Sequence, residues 1–259
     1  MMTRLMGLVL IAAAIAFVGT ACSRPLYIEG NYGIEDIEEI YIAEEIEEIK
    51  EVEEIEEVIE ISQEVKIITP EPIFTAESLP DYVVALITGV SFRGDTPFGH
   101  DALSYLTISH VDFEGEGRVG YMIVAAELAD EVLDIFRELY EARFPIYQMR
   151  LIDHYGADDV ASMEANNSHA FNFRFIAGTQ TISRHGFGWA IDINPVQNPY
   201  VRGDSVLPDA GAAYLDRDDV RPGMIVPGCP AYTAFVSRGW TWGGNWTSLR
   251  DYHHFERRD

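Results

Sequence analysis

Basic residues are scarce in this chain of 259 residues. Lysine and arginine number 18 against 43 aspartates and glutamates, giving a formal net charge of −25 and a pI near 4.4. A chain this acidic lacks the cationic surface that phosphate backbones require, which excludes nucleic acid as a partner. Cysteine is scarcer still, with Cys22 and Cys229 only. Long apolar runs are absent too. The stretch from Leu5 to Val18 is almost wholly apolar but too short to span a bilayer comfortably.

Behind Arg4, that stretch suits the apolar region of a secretory signal, here residues 1–21. Gly-Thr-Ala-Cys follows, and small residues before a cysteine resemble a bacterial lipoprotein cleavage box with Cys22 as the lipidated residue. Gly19 stands where a larger aliphatic residue is usual. Ordinary cleavage near Ala21, or an uncleaved anchor, is the other reading. If Cys22 carries lipid, Cys229 has no partner for an intramolecular disulfide.

The acidity is uneven. Between Glu29 and Glu64 lie 16 acidic residues and one lysine, Lys50, in an Ile/Val–Glu–Glu repeat. Its apolar positions (Ile46, Ile49, Val52, Ile55, Val58) recur every three residues. At about 100° per residue each such step falls about 60° short of a helical turn, so the stripe winds around a helix and forms no face. A coiled coil needs a spacing of 3.5. Residues 22–80 therefore read as a self-repelling, extended spacer, closed by Pro70, Pro72 and Pro80.

From Asp81 to Asp259 the composition is that of a folded domain. YVVALITGVSF suggests a strand or a short buried helix, and SYLTISHVDFEGEG a strand entering a hairpin. Leu128, Val132, Ile135, Phe136, Leu139 and Tyr140 line one face of an amphipathic helix ending before Pro145. PIYQMRLIDHYG reads as a strand, and AYTAFVSRGW as a last helix. Strands and helices without a βαβ rhythm predict a single compact α+β domain, a small mainly antiparallel sheet flanked by helices.

Of seven histidines, three sit in a pattern with chemical meaning. In SRHGFGWAIDINP, His185 precedes Asp192 by seven residues, and Gly186 and Gly188 permit a tight return between them. Strand alternation sends Ala190, Asp192 and Asn194 to one face. A catalytic zinc wants three nitrogen or carboxylate ligands at about 2.0–2.2 Å and an open fourth position. The tail DYHHFE offers His253 and His254 for the third ligand, and Asp251 stands three residues before His254, placed to act as general base. His100, His110, His154 and His169 lack such companions. His169 alone is close enough in sequence to the motif to support the site from behind.

SRHGFGWAID resembles the SxHxxGxAxD signature of the VanY-like zinc peptidases, the D-alanyl-D-alanine carboxypeptidase and L-alanyl-D-glutamate peptidase group. DYHHFE is similar to that family's closing DxxHF element, and GGNW ahead of it to the L-alanyl-D-glutamate branch. The resemblance covers roughly Asp81 to Glu256. It implies one Zn2+ held by His185, Asp192 and His254, with Asp251 as catalytic base. It also implies that Arg174, in FNFR, steadies a substrate carboxylate or the developing oxyanion. His253 stands where relatives often have proline, and is read as a group supporting the ligands or facing substrate, with its use as the third ligand the alternative. Ser183 is placed either to hydrogen-bond near the site or to bond its own turn. Trp240, Trp242 and Trp246 could wall a substrate cleft, Trp242 foremost, or simply pack. The implied substrate is the peptide stem of peptidoglycan, reached from a lipid anchor in the bacterial cell envelope. The competing expectation is a zinc- or wall-binding module without hydrolytic activity.

Overall fold

The computed structural model describes residues 71–258. The signal segment, Cys22 and nearly all of the acidic spacer lie outside the described residues. The described domain is α+β. Its first sheet joins β1 (Phe74–Ser78), β2 (Leu103–Val111) and β3 (Gly117–Ala125) in antiparallel order. β1 falls inside the stretch read as spacer, yet all five of its residues pair with β2, from Phe74 opposite Ile108 to Ser78 opposite Ser104. The folded unit therefore begins ahead of Asp81.

Two helices cover the two faces of this sheet. On one side α1 (Asp81–Ile87) buries Val83 and Ile87 with Leu103, Tyr105 and Ile123. On the other lies the amphipathic helix α2 (Ala129–Glu141), which buries Val132, Ile135, Phe136 and Leu139 against Leu106, Ile108 and Met122. Asp130 and Glu131 in its first turn complement the positive end of the helix dipole.

PIYQMRLIDHYG, expected as a strand, supplies only β4 (Gln148–Met149) and then a 3-10 turn at Ile152–Tyr155. Side chains take the place of a neighbouring strand here. The amide of Tyr147 donates to Asn194 Oδ1 at 3.0 Å, and that of Arg150 to Asn167 Oδ1 at 2.9 Å. A short helix, α3 (Asp159–Glu164), is capped by Asp158, whose carboxylate accepts from the amides of Val160 and Ala161. β5 (Asn167–Ser168) then pairs with β4 in parallel.

The C-terminal half builds two further sheets. One has the order β6 (Ala190–Asp192), β11 (His254–Arg257), β9 (Trp240–Trp242). The other has the order β10 (Arg250–Asp251), β7 (Tyr200–Arg202), β8 (Ser205–Leu207). α4 (Pro230–Val236) packs behind the first, where Phe235 stacks on Phe255 with ring centroids 4.2 Å apart. β6 is shorter than the sequence suggests. Asn194 leaves it with φ of +48° and spends its amide on the carbonyls of Pro145 and Gly223, so it does not share a strand face with Asp192.

Candidate metal centre

Sheet register brings the histidines and the aspartate together. Asp192 of β6 lies directly opposite His254 of β11, and on its other side it bridges to His169. Residues directly opposite in an antiparallel ladder point to the same face, so His169, Asp192 and His254 share one. His185 arrives from outside the sheet on a 3-10 turn, Arg184–Phe187. The turn ends at Gly188, whose φ of +71° suits glycine and whose missing Cβ would collide with the backbone of Val124 and Ala125. That close approach seats the turn against the end of β3 and so sets the height of His185.

The donor atoms form a tight triangle. His185 Nε2 lies 3.1 Å from His254 Nδ1 and 3.2 Å from Asp192 Oδ1, and His254 Nδ1 lies 3.0 Å from the same oxygen. In a tetrahedral zinc site, bonds of about 2.0–2.1 Å place donors roughly 3.3 Å apart. The three atoms match that spacing and the mixed nitrogen and carboxylate set that zinc takes. His169, His185 and Asp192 also form a group that could hold a metal, with donor atoms within 4.8 Å of one another. The His254 triangle is the tighter of the two. Both ring nitrogens of His169 are buried without a partner among the described residues, and its ring stacks on His185.

Each imidazole is aimed by its other nitrogen. His185 Nδ1–H donates to the carbonyl of Ala170 at 2.6 Å, which leaves Nε2 free to face the triangle. His254 Nε2 faces Glu256 Oε2 at 3.3 Å, an arrangement that presents Nδ1 as the donor atom. His253 Nδ1–H donates to the carbonyl of Asn198 at 2.8 Å, turning Nε2 toward Asp251 Oδ1 at 2.9 Å and, more distantly, Asp192 Oδ2 at 3.8 Å. Of the two adjacent tail histidines, His254 belongs to the triangle and His253 to the acid.

The charges reflect this crowding. Burial works to raise the Asp192 carboxyl, but the imidazoles of His185, His253 and His254 hold it well below the usual carboxylate range. Burial would lower His254, yet its contacts with Asp192 and Glu256 raise it to about 10 in the metal-free protein. Burial would likewise lower His253, but the carboxylates of Asp251 and Asp192 raise it to about 9. His169 is pushed down to about 4 by burial.

The triangle forms the floor of an open cleft of about 1000 Å3. Asp251, His253, Arg174 and Ser183 line it as well. Asp251 sits on β10, and Gly243 approaches it so closely that a Cβ there would lie 2.6 Å from the Asp251 carbonyl oxygen. This explains one glycine of GGNW: it lets the preceding turn support the acid. Arg174 is held by Asp159, with Nε 2.5 Å from Oδ2. The Ser183 hydroxyl does not cap its own turn and is left to face the cleft.

Trp242 is a correction. It is buried in the core, its Nε1–H donates to the carbonyl of Tyr252, and it takes no part in the cleft lining. Trp246 lines the cleft instead, its ring centroid 5.3 Å from that of His254. Sequence reasoning also passed over Glu256 and Asp159. For Glu256 the signal was present, since alternation along HHFER puts it on the face of His254.

Residues 177–257 match the family model described as D-alanyl-D-alanine carboxypeptidase. The match supports the VanY-like zinc peptidase family. It contains His185, Asp192, Asp251, His253 and His254 and stops short of Arg174 and His169. No curated protein and no solved structure matches the chain.

Proposed function

We propose that this protein is a zinc-dependent peptidase that hydrolyses peptide bonds in the stem peptide of peptidoglycan. The observation that carries the reading is the triangle of His185 Nε2, Asp192 Oδ1 and His254 Nδ1, with edges of 3.0–3.2 Å, on the floor of a cleft that also presents an acid and an arginine. One zinc ion held there by His185, Asp192 and His254 would supply Lewis acidity to the carbonyl and lower the pKa of water. Asp251 accepts the proton of the attacking water and returns it to the leaving amine. His253, fixed by Asn198 and 2.9 Å from Asp251, orients that carboxylate. Arg174, tethered by Asp159, offsets the negative charge that develops on the carbonyl oxygen.

In this reading the chain works in the extracytoplasmic cell envelope, anchored by lipid on Cys22. The acidic spacer carries the domain away from the membrane surface toward its substrate. The competing reading is a metal-binding wall module that performs no hydrolysis. Asp251 favours the enzyme, because a purely binding site has no use for an acid supported beside the ligands. The deciding experiment incubates the zinc-loaded full chain and its Asp251→Ala variant with muropeptides and maps the products by mass. Cleavage by the wild type, falling by about 100-fold or more in the variant, is expected. Bound zinc with intact muropeptides in both would leave the binding module standing.

A further inference from the structure

One wall of the cleft carries a cation that the fold itself does not employ. Between residues 71 and 258 there are 26 acidic residues, 14 arginines and no lysine. The cleft departs from that balance, since Arg174, Arg184, Arg202 and Arg258 match Asp159, Asp192, Asp251 and Glu256 in number. A divalent metal would make the cleft net positive inside a net negative domain. Three of the four arginines are engaged by the protein. Arg174 is held by Asp159, Arg258 pairs with Glu256 at 2.8 Å, and Arg184 lies over the ring of Trp189 at 5.4 Å. Arg202 is exposed, and its guanidinium makes no hydrogen bond or ion pair among the described residues.

Its position relative to the acid is set by register. Tyr200 of β7 lies opposite Asp251 of β10, and on its other side opposite Leu207 of β8. Tyr200 and Arg202 share a strand face, and Tyr200, Arg202 and Leu207 all line the cleft. Two residues of strand span about 7 Å, so Arg202 stands about two residues of extended peptide along the wall from the acid.

Resting on the peptidase reading, we propose that Arg202 is a specificity-determining residue that binds a carboxylate carried by the substrate within about two residues of the scissile bond. Stem peptides with that carboxylate free are then preferred over the same peptides with it amidated. Guanidinium suits the role because its planar fork takes a carboxylate through two parallel hydrogen bonds.

The test uses the zinc-loaded full chain and two muropeptides that differ only in amidation of the stem carboxylates. The wild type should favour the free acid by about 10- to 100-fold in kcat/KM, chiefly through KM. Arg202→Ala should lose that preference, Arg202→Glu should reverse it, and Arg202→Lys should restore part of it. An Arg202→Ala variant that keeps the wild-type preference overturns the proposal. A second arm measures binding of the uncleaved acidic stem peptide to Asp251→Ala with and without Arg202→Ala. Weaker binding in the double variant by a similar factor is expected, and equal affinity overturns the assignment. If the wild type cleaves neither muropeptide, the peptidase reading fails while the binding arm still decides the role of Arg202.

Discussion

The sharpest prediction concerns which histidines hold the metal, because four imidazoles crowd one carboxylate. His254 Nδ1 is 3.0 Å from Asp192 Oδ1 and 3.1 Å from His185 Nε2, whereas His253 Nε2 is 3.8 Å from Asp192 Oδ2 and turned toward Asp251. Zinc sites with four protein ligands bind with roughly 10–16 kcal/mol, so one ligand accounts for about 3 kcal/mol, on the order of 100-fold in affinity. His254→Ala and His185→Ala should each weaken zinc binding by at least that factor, measured by competition with a chromophoric chelator at neutral pH. His253→Ala and His169→Ala should weaken it by less than about tenfold, below the roughly 10- to 100-fold cost of losing a group that hydrogen-bonds a ligand, because neither side chain bonds a member of the triangle. His185 is also bonded to the Ala170 carbonyl in the interior, so near-UV circular dichroism must accompany each variant to separate a lost ligand from a lost fold. Binding has a second signature. With His254 raised against the effect of burial to about 10 by Asp192 and Glu256, the metal must displace a proton at neutral pH, so affinity falls as pH falls. Calorimetry in buffers of different ionisation enthalpy reads that proton directly. Loss of zinc in His253→Ala with retention in His254→Ala would refute the assignment, and loss in His169→Ala alone would move the site to His169, His185 and Asp192.

Two further outcomes follow from the surroundings. Glu256→Ala removes the carboxylate 3.3 Å from His254 Nε2 and should weaken zinc binding by about 10- to 100-fold, with Glu256→Gln intermediate because its carbonyl still accepts the hydrogen bond; equal affinity in all three proteins would remove Glu256 from the site. His110, in β2, is buried and pushed down to about 4 from an ordinary value of 6.5, chiefly by desolvation, with Asp112 and Arg118 nearby acting in opposite directions. The unfolded chain takes up this proton below pH 6.5 and the folded chain resists until about 4, so the neutral ring's contribution is complete above 6.5 and is lost as pH falls through that window. The difference in stability between wild type and His110→Gln, from urea unfolding of the metal-free protein, should therefore shrink by about 3 kcal/mol from about pH 7 to about pH 4. Parallel pH profiles for the two proteins would contradict this.

What the sequence disclosed depended on whether the deciding contacts were local. α2 could be read because six apolar positions keep helical spacing within one segment. The residues of the donor triangle could be singled out because two short motifs carry the types and spacings that a zinc site demands, although 62 positions separate Asp192 from His254 and only β6–β11 pairing joins the halves. β1 was hidden, since FTAES follows an acidic, proline-bounded stretch and becomes a strand only by pairing with β2, on the far side of α1 in the chain. That the strand expected over PIYQMRLIDHYG shrinks to β4 was hidden for a similar reason: Asn167 and Asn194 take up the amides of Arg150 and Tyr147 from distant segments.

The two tryptophans show the same limit at finer scale. Trp242 and Trp246 stand four residues apart in one glycine-rich stretch, and nothing in their local pattern separates them. Register does. Trp242 lies opposite Phe255 in the β9–β11 ladder, and Phe255 stacks on Phe235 in the core, so Trp242 must point inward. The next residue along β11 toward the cleft, His254, alternates to the opposite face, and Trp246 comes beside its ring only after the chain has turned through Gly243 and Gly244. One ladder thus sorts a core aromatic from a cleft aromatic and the histidine of the triangle from its neighbour. A one-residue slip of β11 would exchange His254 for His253 opposite Asp192, so which tail histidine joins the donor triangle is a property of the sheet before it is a property of the motif.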